Sequence, residues 1–164
     1  MSDDNPDLRS TLAAMVDESL RLRMAAQLPK PDASTGELLD ALLVVRSSID
    51  RMEELLATSL QLRGFAARKH TVCRVQVEDA WDEVAVRTRQ SAVRDEYSSA
   101  KERAAAANLE VLDLRRLERR AQRDLQICDE AVESIRLRHR GASDLRQDVL
   151  AVIRIRQFET AMER

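Results

Sequence analysis

The sequence predicts an all-α protein, built as a long antiparallel helical hairpin (coiled-coil-like) with shorter flanking helices at both ends. Gly and Pro contribute three residues each to a chain of 164, whereas average usage of about 12% would give about 20. Charged residues make up 34% of the chain and aromatic residues 2%. This composition excludes most β architectures, which need frequent turn residues and β-branched or aromatic strands. The apolar content of 44% also argues against disorder.

Residues 1–33 are predicted to form an N-terminal helical arm, with one helix from about Pro6 to Leu28. Asn5 is a suitable N-cap, and Pro6 then occupies the first helical position, where its missing N–H costs nothing. A proline pair ends the helix at residues 29–31, because proline lacks a donor and disfavours helix in the preceding residue. One apolar residue every four positions predicts the buried stripe, which is Leu12, Val16, Leu20, Met24 and Leu28.

Residues 34–140 are predicted to form the long hairpin. Ser34 and Glu37 have the spacing of a capping box, so the first long helix starts there. Seven-residue repeats then define two buried seams. One seam is Leu38, Val45, Met52, Ser59, Ala66, Cys73 and Ala80, and the other is Leu42, Ile49, Leu56, Arg63, His70, Val77 and Val84. Small and polar residues weaken the seams between Ser59 and His70, where Gly64 also falls, which predicts a kink, a looser contact or a partner site.

The second long helix is predicted to follow a break at about residues 91–96, with Asp95 as its cap. Its seams are Ala100, Ala107, Leu114, Ala121, Cys128 and Ile135 on one side, and Ala104, Val111, Glu118, Leu125, Val132 and His139 on the other. Gly141 follows a run of three arginines, which is the usual chemistry of a helix C-terminus. The helix is therefore expected to end there.

Residues 141–164 are predicted to form a C-terminal assembly helix that starts near Ser143 or Asp144. Within its own chain, this helix is expected to have the least apolar surface to pack against. A two-helix hairpin buries one stripe per helix, so self-association into a homo-oligomer is expected. The predicted oligomerisation residues are Leu145, Val149, Val152, Ile155, Phe158 and Met162.

Two basic clusters are candidates for nucleic-acid binding. The denser one is Arg115, Arg116, Arg119, Arg120 and Arg123, in which helical spacing groups 116, 120 and 123 on one side. The second one is Arg63, Arg68, Lys69 and Arg74. Guanidinium forks suit phosphate, and each contact releases counterions. A hairpin that turns near residue 93 would place residue 70 opposite about 116 and merge the clusters. The alternative is a solvated face balanced by Asp113, Asp124 and the acids of a partner.

The sequence predicts no catalytic site, no metal site and no cofactor. It has two histidines and none of the common phosphate-binding, zinc-protease or nucleophile motifs. His70 and Cys73 supply half a zinc site at most, and both cysteines fall on seams where a thiol packs well. Trp81 and Tyr97 are interpreted either as interface anchors or as packing residues. No apolar run is long enough to span a bilayer, and a cytoplasmic location is predicted.

The C-terminal two-fifths of the chain resembles phage recombination mediators of the UvsY type. The resemblance rests on Tyr97, Ala107, Leu112, Leu125, Cys128, the run 131–136, Arg138 and the terminal Ile155-Arg156-Gln157-Phe158-Glu159. It implies a ring-like homo-oligomer that binds single-stranded DNA and helps load a RecA-like recombinase onto strands covered by a single-strand-binding protein. It also implies oligomer contacts at Ile155, Phe158 and Met162, and DNA contacts in the stretch 115–123.

Two functions from different classes are therefore predicted. The first is a non-enzymatic DNA recombination accessory protein, acting in the bacterial host cytoplasm if it is phage-encoded. The alternative is a purely protein-binding coiled-coil protein of a phage, with a structural, scaffolding or adaptor role. Steeply salt-dependent binding of an oligonucleotide separates the first function from the second.

Overall fold

The computed structural model describes residues 6–30, 32–93 and 99–162. These residues form α1 (Pro6–Ala25), α2 (Thr35–Val93), α3 (Ala100–Glu110) and α4 (Leu112–Met162), and no strand occurs among them. The prediction of an all-α hairpin with flanking helices is confirmed. Contacts divide the chain into two compact units. We call Asn5–Gln61 with Cys128–Arg164 the terminal unit, and Leu62–Ile127 the central unit.

The terminal unit packs α1 against the first part of α2 and the last part of α4. In this unit the two long helices run antiparallel, because His139 Nε2 lies 3.3 Å from Glu53 Oε1 and Leu38 and Ile153 line one groove. The buried core is Ala26, Ala33, Leu38, Val45, Ile49, Met52, Ala142, Leu145, Val149 and Ile153. Three helices therefore enclose one continuous set of apolar side chains.

Helix α1 starts at Pro6 as predicted, but ends at Ala25, three residues earlier than predicted. Its predicted stripe is wrong in the second half, because Leu20, Met24 and Leu28 are exposed. A strict four-residue step drifts about 40° per step around a helix of 3.6 residues per turn. The buried positions alternate between three-residue and four-residue steps, at Leu12, Met15, Ser19, Leu22 and Ala26, of which Leu22 is half-buried.

Helix α2 begins with the predicted capping box. The Ser34 N–H donates to Glu37 Oε2 at 2.6 Å, and the Glu37 N–H donates to Ser34 Oγ at 3.3 Å. The helix then continues through Gly64 to Val93. The weak part of its seams coincides with the boundary between the two units, after Gln61.

The central unit pairs the second half of α2 with α3 and the first part of α4. Its core is small: Val77, Val84, Ala107 and Val111, with Ala80, Trp81 and Leu114 against it. Lys69 Nζ lies 3.6 Å from Asp124 Oδ2, and Arg87 pairs with Glu110. These pairs fix an antiparallel register in which residue 70 lies opposite about 123. The predicted register, with residue 70 opposite about 116, is wrong because α2 extends to Val93 and the second arm begins with α3 at Ala100.

The second arm of the hairpin differs from the prediction at both ends. Ser99 caps α3, since its Oγ accepts from the Glu102 N–H at 3.2 Å, whereas Asp95 lies outside the described residues. Helical hydrogen bonding continues across Val111, whose N–H bonds to the Ala107 carbonyl at 3.3 Å. Helices α3 and α4 are therefore separated by a single residue.

Helix α4 does not end at Gly141, and no new helix starts near residue 143. The predicted boundary between residues 140 and 141 is therefore not a break in the helix. A Cβ built on Gly141 would lie 3.2 Å from Arg23 Nε. The glycine thus allows a close approach of the α1 side chain rather than a helix end.

Candidate nucleic-acid interface

The arginines of the cluster 115–123 point in different directions around α4. Ala121 and Cys128 are fully buried on the side that faces the hairpin core. At about 100° per residue, Arg116, Arg119 and Arg123 lie on the opposite side, and all three are exposed. We call these three residues the α4 arginine stripe.

The predicted grouping of positions 116, 120 and 123 is corrected by this geometry. Arg120 and Arg115 flank the stripe on its two sides, and both are half-buried. Arg115 packs inward: its guanidinium carbon lies 4.7 Å from the centroid of the Trp81 ring, and its Nη1 donates to Asn108 Oδ1 at 3.2 Å. Arg115 therefore serves packing, and Arg119 rather than Arg120 completes the outer face.

Carboxylates neutralise part of the cluster. Arg116 Nη1 lies 3.0 Å from Asp113 Oδ1, with both side chains more than half exposed. Asp124, in contrast, faces Lys69 of α2. Within the described part of the chain, Arg119 and Arg123 form no ion pair. The alternative interpretation is a solvated face whose charge is balanced by Asp113 and Asp124. It thus applies to one guanidinium of the stripe, that of Arg116.

The second basic cluster lies along the same section of the central unit. Residues 62–77 carry four bases and no acid, and the four bases are the exposed side chains Arg63, Arg68, Lys69 and Arg74. The observed register places residues 66–77 of this segment beside residues 116–127. Residues 62–77 and 116–124 together hold eight Lys and Arg against two acids, Glu118 and Asp124. This section is therefore the most basic part of the hairpin.

The neighbouring section of the central unit is acidic. Residues 78–83 carry four acids, and Glu110 and Asp113 lie across from them on the other arm. Arg87 donates to Glu83 Oε1 at 3.0 Å and also pairs with Glu110. The hydrogen bond that Arg87 donates to Glu110 and the negative charge of Glu110, followed by the hydrogen bond to Glu83, raise the pKa of Arg87 above its usual value. Charge is thus separated along the unit, with the basic section next to the acidic one.

The predicted oligomerisation residues divide into two groups. Leu145 and Val149 are buried in the terminal unit, and Val152 packs against the same core. Ile155, Phe158 and Met162 are 59%, 67% and 73% exposed. The expectation that this helix has the least apolar surface to pack against within its own chain is wrong for the first group, because α1 and the start of α2 cover it.

Other predicted candidates have structural roles. Trp81 packs against the core of the central unit, whereas Tyr97 lies outside the described residues. Cys128 is buried and Cys73 half-buried, each as a thiol. Among residues 6–30, 32–93 and 99–162, no three His, Cys, Asp or Glu side chains are grouped to hold a metal ion. No described helix is both long and apolar enough to pass through a membrane.

Sequence reasoning missed two contacts that shape the surface. The stacking of Arg115 on Trp81 joins residues that are 34 positions apart, and no local pattern signals it. The sequence places Arg138 in a run of cations at a predicted helix end. In the structure, its Nη1 donates to the Val16 carbonyl at 2.8 Å and to Ser19 Oγ at 2.7 Å. Arg138 therefore fixes α1 to α4.

Comparison with known proteins adds no relative. No family model, curated protein or solved structure matches this chain. The resemblance to UvsY-type mediators therefore stays a prediction from sequence.

Proposed function

We propose that this protein is a non-enzymatic DNA recombination accessory protein that binds single-stranded DNA through the α4 arginine stripe. The observation that carries the proposal is the exposure of Arg116, Arg119 and Arg123 on one outer face of a continuous helix. Two of them make no ion pair with any described residue. Arginine presents planar, always-charged forks that match phosphate oxygens.

The stripe is short: residues 116–123 extend about 10 Å along the helix, so it contacts a few successive phosphates. A face of this length can contact the phosphates of a single strand or of a duplex, because an α-helix also fits the major groove. The preference for a single strand in this proposal comes from the resemblance to UvsY-type mediators. With one tryptophan packed in the core and four aromatic residues in the chain, binding is electrostatic rather than based on stacking.

The recombination role comes from the sequence resemblance. In this proposal the protein assembles as a homo-oligomer and helps load a RecA-like recombinase onto strands covered by a single-strand-binding protein. The exposed Ile155, Phe158 and Met162 supply apolar surface for that assembly. A phage-encoded protein would act in the cytoplasm of its bacterial host.

The direct test is a fluorescence anisotropy titration of a labelled single-stranded oligonucleotide at about 50 and about 200 mM salt. We expect binding at the lower salt and a steep loss of affinity at the higher salt, because phosphate contacts release counterions. No binding at about 50 mM salt would contradict the proposal. A duplex of the same sequence should bind more weakly.

A triple variant locates the binding surface. Replacing Arg116, Arg119 and Arg123 by Gln removes three charges without removing helix-forming residues. The matched control replaces three exposed arginines of α4 in the terminal unit by Gln, namely Arg136, Arg146 and Arg154. We expect the stripe variant to lose most of its affinity and the control to keep it. Equal losses in both variants would mean that net charge, rather than the stripe, determines binding.

A second candidate function is a purely protein-binding coiled-coil component of a phage. The observation that favours it is that Ile155, Phe158 and Met162 lie within about 60° of one another on α4 and are each more than half exposed. This candidate predicts no oligonucleotide binding at about 50 mM salt. It also predicts self-association or partner binding that the Phe158→Ser variant loses, as measured by light scattering.

A further inference from the structure

The row of side chains that carries the α4 arginine stripe continues into α3 with apolar residues. Helical hydrogen bonds cross the junction, because the Val111 N–H bonds to the Ala107 carbonyl at 3.3 Å and the Arg115 N–H to the Val111 carbonyl at 3.1 Å. At about 100° per residue, the six members of the row therefore fall within a sector of about 80° on the outer face of the central unit. We call this set the outer row, and it consists of Ala105, Leu109, Leu112, Arg116, Arg119 and Arg123.

The two leucines of the outer row are exposed, although the core of the central unit does not use them. From the same stretch, that core takes Ala107 and Val111, with Leu114 packed against it. Leu109 is 71% exposed, the highest value among the large apolar side chains described in the central unit, and Leu112 is 37% exposed. Single exposed apolar residues are common. These two, however, lie one helical turn apart and directly precede three guanidinium groups in the same row.

The acids nearest to the leucines are already paired. Glu110 pairs with Arg87 of α2, and Asp113 Oδ1 lies 3.0 Å from Arg116 Nη1. The surface next to the α4 arginine stripe is therefore apolar rather than repulsive to a polyanion.

A ligand that covers the whole outer row must be anionic over one part and apolar over the other. Single-stranded nucleic acid has both properties, because its phosphates are charged and each unpaired base exposes a π-face. A duplex stacks these faces inside the helix and shows only base edges, at the bottom of a major groove about 8.5 Å deep. Leucines beside the phosphates of a duplex would gain no apolar burial.

We propose that Leu109 and Leu112 contact unpaired bases of a strand whose phosphates bind the α4 arginine stripe. These contacts select single strands over duplexes, whereas the phosphates supply most of the affinity. The leucines extend the binding face from about 10 Å to about 21 Å of helix. This inference rests on the proposed function and adds a structural source for its preference for single strands.

The test compares two labelled single-stranded oligonucleotides of equal length, one of thymidines and one in which the central nucleotides are abasic. Both have the same phosphates, so the ratio of their affinities reports contacts with the bases. Fluorescence anisotropy at about 50 mM salt measures this ratio for wild type and for the double variant Leu109→Gln, Leu112→Gln. We expect wild type to bind the thymidine strand at least about fivefold more tightly, because the leucines bury apolar surface on the bases. The double variant should bind both strands within about twofold.

The matched control is the double variant Leu43→Gln, Leu137→Gln, which replaces leucines of the terminal unit that are 64% and 57% exposed. It should keep the wild-type ratio. Circular dichroism should show wild-type helicity for every variant. The single variant Leu109→Gln, at the more exposed position, provides the test if the double variant loses helicity, and it should lower the ratio part of the way.

The outcomes separate this inference from the proposed function. Wild type that binds both strands equally, or a leucine variant that keeps the wild-type ratio, would overturn the inference and leave phosphate binding by the stripe in place. No binding of either strand by wild type would overturn the proposed function as well. A leucine variant that loses self-association in light scattering but keeps the affinity ratio would assign the leucines to a protein interface, and would also overturn the inference.

Discussion

The two units of this chain share a heptad pattern but differ in the size of their buried cores. In the terminal unit, ten buried residues form one apolar cluster that includes Leu38, Met52 and Val149. In the central unit, the buried cluster has four residues and none larger than valine. The terminal unit has a third helix, α1, to cover large side chains. The comparison indicates that the terminal unit supplies most of the stability, because its buried core is the larger one.

Polar contacts show the same division. In the terminal unit, Arg138 bonds to the backbone carbonyl of Val16 and to the fully buried Ser19. Hydrogen bonds to a charged group in such partly buried positions contribute about 1.5–3 kcal/mol each. In the central unit, ion pairs such as Arg74–Glu78 and Arg116–Asp113 join exposed side chains, and exposed pairs contribute at most about 1 kcal/mol. Lys69, in contrast, pairs with the half-buried Asp124.

The largest expected effect comes from matched core truncations. Val45 in the terminal unit is 0% exposed and Val84 in the central unit is 4% exposed. Val45→Ala should lower the free energy of unfolding by about 2–3 kcal/mol, and Val84→Ala by about 1–1.5 kcal/mol. The difference arises because three helices hold a cavity open, whereas the smaller residues around Val84 relax into it.

Urea denaturation followed by circular dichroism measures both losses. Equal losses, or a larger loss for Val84→Ala, would contradict the assignment of stability to the terminal unit.

A smaller effect compares two glycines inside long helices. A Cβ on Gly64 meets nothing within 4 Å, whereas one on Gly141 lies 3.2 Å from Arg23 Nε. Gly64→Ala should stabilise the chain by about 1 kcal/mol through helix propensity. Gly141→Ala should gain less, because Arg23 also donates to the Ala26 carbonyl at 3.0 Å and must shift. Thermal unfolding that ranks Gly141→Ala above Gly64→Ala would show that Arg23 does not constrain this position.

The smallest effect concerns the capping box at the start of α2. The hydrogen bond from the Ser34 backbone N–H lowers the pKa of Glu37 below its usual value of 4.5. A lowered folded-state pKa stabilises the fold at pH values above 4.5, and this contribution is lost as the pH falls through the folded-state pKa. Glu37→Gln should therefore be less stable than wild type near neutral pH and equal to it in acid.

The matched control for this titration is Asp40→Asn, an exposed carboxylate on the same helix. Thermal unfolding of all three proteins over a series of pH values provides the comparison. A stability difference between Glu37→Gln and wild type that persists unchanged into acid would rule out the charge of Glu37 as its source.

The long helices were predictable because local spacing determines them, whereas features that depend on tertiary contacts were not predictable from the sequence. The capping box at Ser34 and the seams of α2 follow from short-range spacing, which a single sequence records. The continuation of α4 through Gly141 does not follow from local spacing. This glycine makes room for the side chain of Arg23, which is 118 positions away. The exposure of Leu20 and Met24 similarly depends on which side of α1 meets the other helices.

The candidate site was predicted by composition but not by orientation. The cluster 115–123 is visible in the sequence as five arginines with one acid. Helical spacing alone, however, grouped 116, 120 and 123 on one side, whereas the exposed stripe is 116, 119 and 123. The direction of the hairpin core, marked by Ala121, assigns Arg119 rather than Arg120 to the outer face. The register that brings the two basic clusters alongside each other depends on the position of the turn, which no Gly or Pro marks.

Whether the α4 arginine stripe binds single-stranded DNA is decided by the salt dependence of oligonucleotide affinity. This is measured for wild type and for the variant with Arg116, Arg119 and Arg123 replaced by Gln. Single strands lose about 0.7 in the slope of log affinity against log salt for each phosphate contact. We expect a slope about 2 smaller in magnitude for the variant, and an almost unchanged slope for the terminal-unit control. A stripe variant that keeps the wild-type slope would contradict the proposal.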